Sequence, residues 1–298
     1  MSAGPLLSIE RVGKTFRRGG LFARGKVDAV RDVSLTVPAQ PTIIAIVGES
    51  GSGKTTLARM ILRLVEPSAG TICLDGRPIH GPRRSKIDDL EFRRLVQPIF
   101  QNPFEAYSIH LPVDYYLFRT ALNLGVAADD ATASAVVDAA LRSVGLDLGR
   151  VRGKYVQQFS GGELQRIAIA RALIPQPRLI VADEPVSMVD ASLRMTIVNL
   201  FTEIRERRGV SFIYITHDLS TATYVADRIV IMTQGSIVEQ GPPSAIVANP
   251  SHDYTRLLME SIPRIGARWP ELAEINVIGS SQTTSQGMPL EKMKGETQ

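Results

Sequence analysis

The stretch Ile43-Ile44-Ala45-Ile46-Val47-Gly48-Glu49-Ser50-Gly51-Ser52-Gly53-Lys54-Thr55-Thr56 decides the fold. Its apolar, mostly β-branched opening reads as a strand buried on both faces, the habit of parallel sheets. Gly48 to Thr55 then match the phosphate-binding pattern G-x-x-x-x-G-K-[ST]. Leu57, Ile61 and Leu64 follow at helical spacing, so the loop joins a strand to a helix. In that setting the glycines let N–H groups from Gly48 through Thr56 converge on phosphate oxygens, and the helix N-terminus adds favourable potential. Lys54 is placed to reach the β- and γ-phosphates of a nucleotide, and the Thr55 hydroxyl to ligate Mg²⁺.

Outward from this loop, Leu179–Ala182 and Phe212–Thr216 are further continuous apolar runs, the expected partners in a parallel sheet. Leu193, Ile197, Leu200 and Ile204 predict an intervening helix closed by Gly209. The first part of the chain reads as antiparallel, with strands at Ser8–Val12 and Ala29–Val37 and a Gly- and Arg-rich connection between them. Thr71–Leu74, the Asp75-Gly76 turn and Pro78-Ile79 add a hairpin-like piece. Between about residues 102 and 172 no comparable β run occurs. Asp129 and Asp130 open a helix there with Val137, Leu141 and Val144 on one face, stopped by Gly145. This stretch reads as a helical insertion into an α/β core. A late hairpin follows at Arg228–Thr233 and Ser236–Gln240, turning at Gln234-Gly235. From Pro270 onward the Ser, Thr, Gln, Gly and Lys content predicts disorder. No internal repeat is present.

Composition removes several classes of function. The 298 residues are 44% hydrophobic and 21% charged, enough for one large domain with a substantial core. A net charge of +4 does not demand a nucleic-acid partner. The single cysteine, Cys73, excludes a disulfide framework and any Cys-rich metal site. No apolar run approaches the roughly 20 residues of a membrane helix, and the N-terminus lacks a secretion signal. The expectation is a soluble cytoplasmic chain that meets a membrane only through a partner.

Two further motifs carry chemistry. Leu179-Ile180-Val181-Ala182-Asp183-Glu184-Pro185 delivers two acids at the C-terminal end of a buried strand, where ligands of α/β sheets bind. Asp183 is placed to hold Mg²⁺ through water and Glu184 to polarise an attacking water as general base. Ser160-Gly161-Gly162-Glu163-Leu164-Gln165-Arg166 sets a hydroxyl and two glycines at a helix start, a second anion site. Since the first loop already holds a nucleotide, two phosphate readers make sense if this one serves the ATP of a second subunit.

With these motifs in this order, the chain resembles the ATP-binding cassette (ABC) family, whose paired subunits sandwich two ATPs between one phosphate loop and the other subunit's signature. The resemblance covers roughly residues 6–262. It implies an α/β fold with a P-loop NTPase (RecA-like) core, an antiparallel β subdomain and the inserted α-helical subdomain, all within residues 6–263, followed by a tail at 264–298. It also implies roles for residues outside the first motifs. Gln101, in Ile99-Phe100-Gln101-Asn102-Pro103, stands at the glutamine loop that contacts Mg²⁺ and the attacking water. His217 stands at the switch histidine that contacts the γ-phosphate. Ser187-Met188-Val189-Asp190 occupies the loop crossing the dimer interface, where Met188 and Val189 depart from the family's usual pair. Phe16 is the candidate for stacking on adenine, with Phe22 the alternative. His80, His110 and His252 have no such context. The basic loops around Arg17-Arg18 and Arg83-Arg84 read as solvated, with phospholipid contact as the alternative.

The segment Asn249-Pro250-Ser251-His252-Asp253-Tyr254-Thr255, with Leu257-Leu258 and Ile262-Pro263, is similar to the extension of bacterial peptide and nickel importer ATPases. Phe159 in place of Leu, Ser108-Ile109-His110 after the glutamine loop, and the absence of cysteines from the tail depart from that group. The resemblance implies an ATPase subunit at the cytoplasmic face of the cell membrane. Its expected partners are a second cassette, identical or homologous, two transmembrane permeases and, indirectly, an extracytoplasmic solute-binding protein. Peptide is the leading cargo, with oligosaccharides, opines, nickel and glutathione as the subfamily's other cargoes. The competing reading is a cassette docked on a soluble enzyme complex. A long coiled coil of the DNA-repair type is excluded, because the interval between Thr55 and Ser160 carries no heptads.

Overall fold

In the computed structural model, residues 4–18, 25–82 and 86–260 are described. Contacts divide the chain after Met259, and the architecture below is that of the first unit. Phe22, Arg83, Arg84, the boundary expected at residue 263 and the 264–298 tail lie outside the described residues.

The central sheet contains the strands read as parallel. Its order is β10 (Ser236–Gly241), β9 (Arg228–Thr233), β3 (Ile43–Val47), β8 (Ser211–Thr216), β7 (Leu179–Asp183) and β6 (Val96–Ile99). All neighbours are parallel except β10, which turns back on β9 through Gln234 and Gly235, both at positive φ. Strands β3 and β8 are buried at every position, as their unbroken apolar runs require. On one face Ile44, Ile46, Ile213 and Ile215 meet helix α1 (Lys54–Ile61) and the antiparallel sheet. On the other, Phe212 and Tyr214 pack on Phe201 of α7 (Ala191–Arg208), with ring centroids 5.1 and 5.9 Å apart. Each such fully buried side chain contributes about 1.5–3 kcal/mol.

The antiparallel sheet has the order β2 (Gly25–Val37), β1 (Leu7–Arg18), β4 (Ala69–Leu74), β5 (Arg77–Pro78). β1 and β2 extend well beyond the strands expected at Ser8–Val12 and Ala29–Val37. Register shifts after Ile9, Val12 and Lys14 break the apolar alternation, and the outer half pairs through polar residues such as Thr15 and Asp28, joined side chain to side chain at 2.7 Å.

Helix α2 (Asp89–Leu95) precedes β6, and the insertion between β6 and β7 is helical as expected: α3 (Val113–Asn123), α4 (Asp130–Arg142), α5 (Leu148–Val151) and α6 (Gly161–Leu173). Asp129 caps α4 in a reciprocal box with Thr132, and Gly145 follows at φ 72°. Helices α8 (Leu219–Val225), α9 (Pro243–Ala248) and α10 (Asp253–Glu260) complete the described residues. Among the described residues no helix is long and apolar enough to cross a membrane.

Two expected core residues lie elsewhere. α1 ends at Ile61, Arg63 takes positive φ, and Leu64 is left 59% exposed. On α7 the buried face is Ile197, Val198, Phe201 and Ile204, so Leu193 is displaced from the expected stripe and is 41% exposed. It covers Gly162 instead.

Candidate active site

Strand β3 runs straight into Gly48, where a side chain would collide with the Met232 carbonyl of β9. Gly53 adopts φ 102°, and a Cβ there would strike the Ala29 carbonyl. Both positions therefore exclude other residues on steric grounds. Helix α1 begins at Lys54 without a side-chain cap, whereas Asp88, Asp129, Ser160 and Asp218 cap α2, α4, α6 and α8. Its first-turn N–H groups have no intrahelical acceptors. They border an open cavity of about 580 Å³ lined by Ala29, Ser50, Gly51, Gly53, Lys54, Thr55, Thr56, Gln101, Glu184 and His217. An uncapped helix start over a glycine cradle fits a phosphate chain.

Lys54 is buried and folds back on the loop. Its Nζ donates to the carbonyls of Gly48 (2.7 Å) and Glu49 (2.8 Å) and to the Ser52 hydroxyl (3.3 Å). Burial lowers its pKa, against the attraction of Glu184, Asp183 and Glu49. An incoming anion would relieve this desolvated charge.

Across the cavity β7 presents the two acids. Burial raises the pKa of Asp183, an effect opposed by the Thr55 hydroxyl, which donates to Asp183 Oδ1 at 3.3 Å. Glu184 stands at φ 46°, a conformation L-residues rarely hold, while its N–H donates to the Ile215 carbonyl at 2.9 Å. That turn aims its carboxylate between two side chains. Gln101 Nε2 donates to Glu184 Oε2 at 3.1 Å, and His217 Nδ1 lies 3.3 Å from Oε1. Among the described residues no three His, Cys, Asp or Glu side chains cluster to hold a metal by themselves. Thr55, Asp183 and Gln101 are hard oxygen donors suited to a Mg²⁺ that completes its shell with water and phosphate.

The signature residues do not line this cavity. Ser160 caps α6, accepting from the Glu163 N–H at 3.2 Å and donating to its carboxylate at 3.0 Å. A Cβ on Gly161 would stand 2.9 Å from the Met188 carbonyl, and Gly162 is buried against Leu193 and Val189. The Ser187 hydroxyl donates to the Glu184 carbonyl at 2.9 Å, so the 187–190 loop ties the acid pair to the signature. Asp190 is exposed at the start of α7, with no side-chain cap bond.

The N–H of Ser160 and the Arg150 guanidinium hold the Glu163 carboxyl at about 2, well below its ordinary 4.5. The folded value lies below the unfolded one, so Glu163 stabilises the fold fully above pH 4.5 and loses that contribution as the pH falls toward 2. The stability gap between wild type and Glu163→Gln should shrink across that window in urea unfolding. A constant gap would show that the carboxylate is not held in this way.

Phe16 is 42% exposed and does not line the phosphate cavity. It pairs across the hairpin with Val27, and Lys14 Nζ sits 5.2 Å from its ring centroid. His80 bonds the Met60 carbonyl and His110 is exposed on a loop, both outside the site. Sequence reasoning missed Ala29, whose carbonyl stands against Gly53, and Tyr254, whose hydroxyl reaches the loop. A neighbouring cavity of about 700 Å³ was also not foreseen; it is lined by Arg59, Leu64, Phe100, Asn102, Arg171 and Met188, among others.

A model of the ABC transporter family matches residues 30–187, and one of the oligopeptide/dipeptide transporter C-terminal region matches residues 238–288. The oligopeptide transport ATP-binding protein OppF of Bacillus subtilis is 38% identical over 258 residues, covering 87% of this chain and 82% of that protein. The glutathione import ATP-binding protein GsiA of Salmonella paratyphi A is 38% identical over 262 residues, which span 87% of this chain and 41% of GsiA. Among solved structures, the dimeric ATP-binding cassette MJ0796 bound to ADP and Pi superposes with a TM-score of 0.68 at 25% identity, over 80% of this chain and 98% of that one. The chain belongs to the ABC transporter family and is one of its ATPases.

Proposed function

We propose that this chain is the ATP-hydrolysing subunit of a bacterial importer that takes up peptides or related small solutes through partner membrane subunits. The observation that carries the ATPase part is the Glu184 carboxylate, fixed between Gln101 and His217 at the mouth of the phosphate-loop cavity. In this reading Gly48, Glu49, Ser50, Gly51, Ser52, Gly53, Lys54, Thr55 and Thr56 hold the phosphates of ATP, and Phe16 stacks on the adenine. Thr55, Asp183 and Gln101 hold Mg²⁺, which neutralises charge on the phosphates when bound. Glu184 takes the proton of the attacking water, and His217 meets the γ-phosphate. Ser160, Gly161, Gly162, Glu163 and Asp190 complete the site of a second cassette.

Transport rests on other support. The relatives named for oligopeptide transport and glutathione import both point to peptide-like cargo. The cavity beside the glutamine loop, where Leu64 and Phe100 stay exposed next to Arg59 and Arg171, suits an amphipathic segment of a permease at the cytoplasmic face of the membrane. Purification from the native host in gentle detergent should recover hydrophobic permeases with this chain. Recovery of soluble enzyme subunits alone would overturn the transporter assignment and favour the docked-enzyme alternative.

A further inference from the structure

The hydroxyl of Tyr254, on α10, accepts the backbone N–H of Glu49 at 2.7 Å. The two residues are 205 positions apart in the chain, and the bond joins the C-terminal segment to the second residue of the phosphate loop. Glu49 is the point where the loop's own bonds converge. Its carbonyl accepts Lys54 Nζ at 2.8 Å and the Ser52 N–H at 3.2 Å. Its carboxylate accepts the Thr233 hydroxyl, at the end of β9, at 3.3 Å.

The tyrosine is itself held from the other side. Glu239 of β10 accepts the N–H groups of Ser251 (2.8 Å) and His252 (3.1 Å). These bonds hold its carboxyl down at about 2, although partial burial acts in the opposite direction. His252 Nδ1 accepts the Tyr254 N–H at 3.1 Å, and Arg256 donates to the Pro250 carbonyl at 2.9 Å while pairing with Asp253. The turn that carries the ring is thus fixed to the central sheet before the ring reaches the loop.

Resting on the reading that this loop holds ATP, we propose that Tyr254 is a positioning residue for the phosphate loop, coupling the C-terminal segment to nucleotide affinity. To meet phosphate, Lys54 has to give up at least one of its three bonds inside the loop, and the peptides it leaves must then stay in place without it. The phenol supplies that restraint, because a fixed N–H bond at Glu49 leaves the cradle preformed when the ammonium moves. Its effect falls on binding rather than on the chemical step, since Tyr254 does not touch the groups that surround the Glu184 carboxylate.

The test uses the full chain with Tyr254→Phe, which keeps the ring and removes only the acceptor. Losing one neutral hydrogen bond of ordinary worth should weaken binding of a fluorescent ATP analogue, mant-ATP, by about 3- to 10-fold. KM for ATP should rise correspondingly while kcat stays unchanged, amide hydrogen exchange at Glu49 should accelerate, and the melting temperature should fall by no more than the roughly 2–4 °C that one hydrogen bond is worth. Unchanged affinity would overturn the proposal. So would a weaker affinity accompanied by an equal loss of kcat, the pattern of a merely structural contact. Lys54→Ala, measured alongside, separates the two readings: if that variant binds mant-ATP normally, the phosphate-loop assignment itself is wrong, whatever Tyr254→Phe does.

Discussion

Glu184→Gln is expected to bind ATP about as tightly as the wild-type chain and to hydrolyse it roughly 10²–10⁴-fold more slowly, the usual worth of a positioned general base. The amide keeps the length and shape of the side chain, so the positive-φ turn and the bond from Glu184 N–H to Ile215 are retained. What is lost is the carboxylate between Gln101 and His217 that can take the proton of an attacking water. Neutralising it also removes one of the negative charges around the buried Lys54 ammonium, which leaves that ammonium freer to hold phosphate. The variant should therefore accumulate ATP-bound protein, and bound ATP should hold paired cassettes together in size-exclusion chromatography. The check is steady-state phosphate release beside nucleotide binding. Hydrolysis within a few-fold of wild type would remove Glu184 from its assigned role.

The parts of this site that could be read from the sequence are those written in consecutive residues. Gly48 to Thr55 and Leu179 to Glu184 each lie on one strand and the turn after it, so apolar run and polar terminus together give their placement. Glu184 illustrates the limit of that reading. Its acidic character is visible, but its positive φ is not, because that conformation goes with a tertiary bond from its N–H to the Ile215 carbonyl of β8. The strand ends of β1 and β2 were hidden for a different reason: bulges reset the alternation that marks a half-buried strand. Leu64 and Leu193 were assigned to the core because periodicity reports a helix face and not what lies against it. In the structure Leu64 borders the cavity beside the glutamine loop, and Leu193 shields Gly162. Tyr254 lies within the segment Asn249–Thr255, yet only tertiary contact over 205 positions reveals that its hydroxyl meets Glu49.

The placement of Ser160, Gly161 and Gly162 outside the phosphate-loop cavity leads to the second large effect. If these residues read a neighbour's ATP, an isolated subunit cannot complete a site, and specific activity should rise with protein concentration unless a different cassette must be added. Lys54→Ala removes the charge that faces the phosphates, and Gly161→Asp sets a carboxylate where the opposite γ-phosphate would lie. Each variant alone should be nearly inactive. Gly161→Asp also brings a Cβ within 2.9 Å of the Met188 carbonyl, so its melting temperature must be measured, and near-wild-type folding is the condition for reading its kinetics. A mixed dimer contains one doubly damaged site and one intact site. Mixing the two variants should then restore a measurable fraction of activity where a single intact site suffices. The alternative outcome is a monomer that hydrolyses ATP at a concentration-independent rate and ignores Gly161→Asp. Such a chain would complete its site from its own residues, without the signature that stands apart from the phosphate-loop cavity. The paired-cassette reading would fall with that result, and the transporter assignment with it.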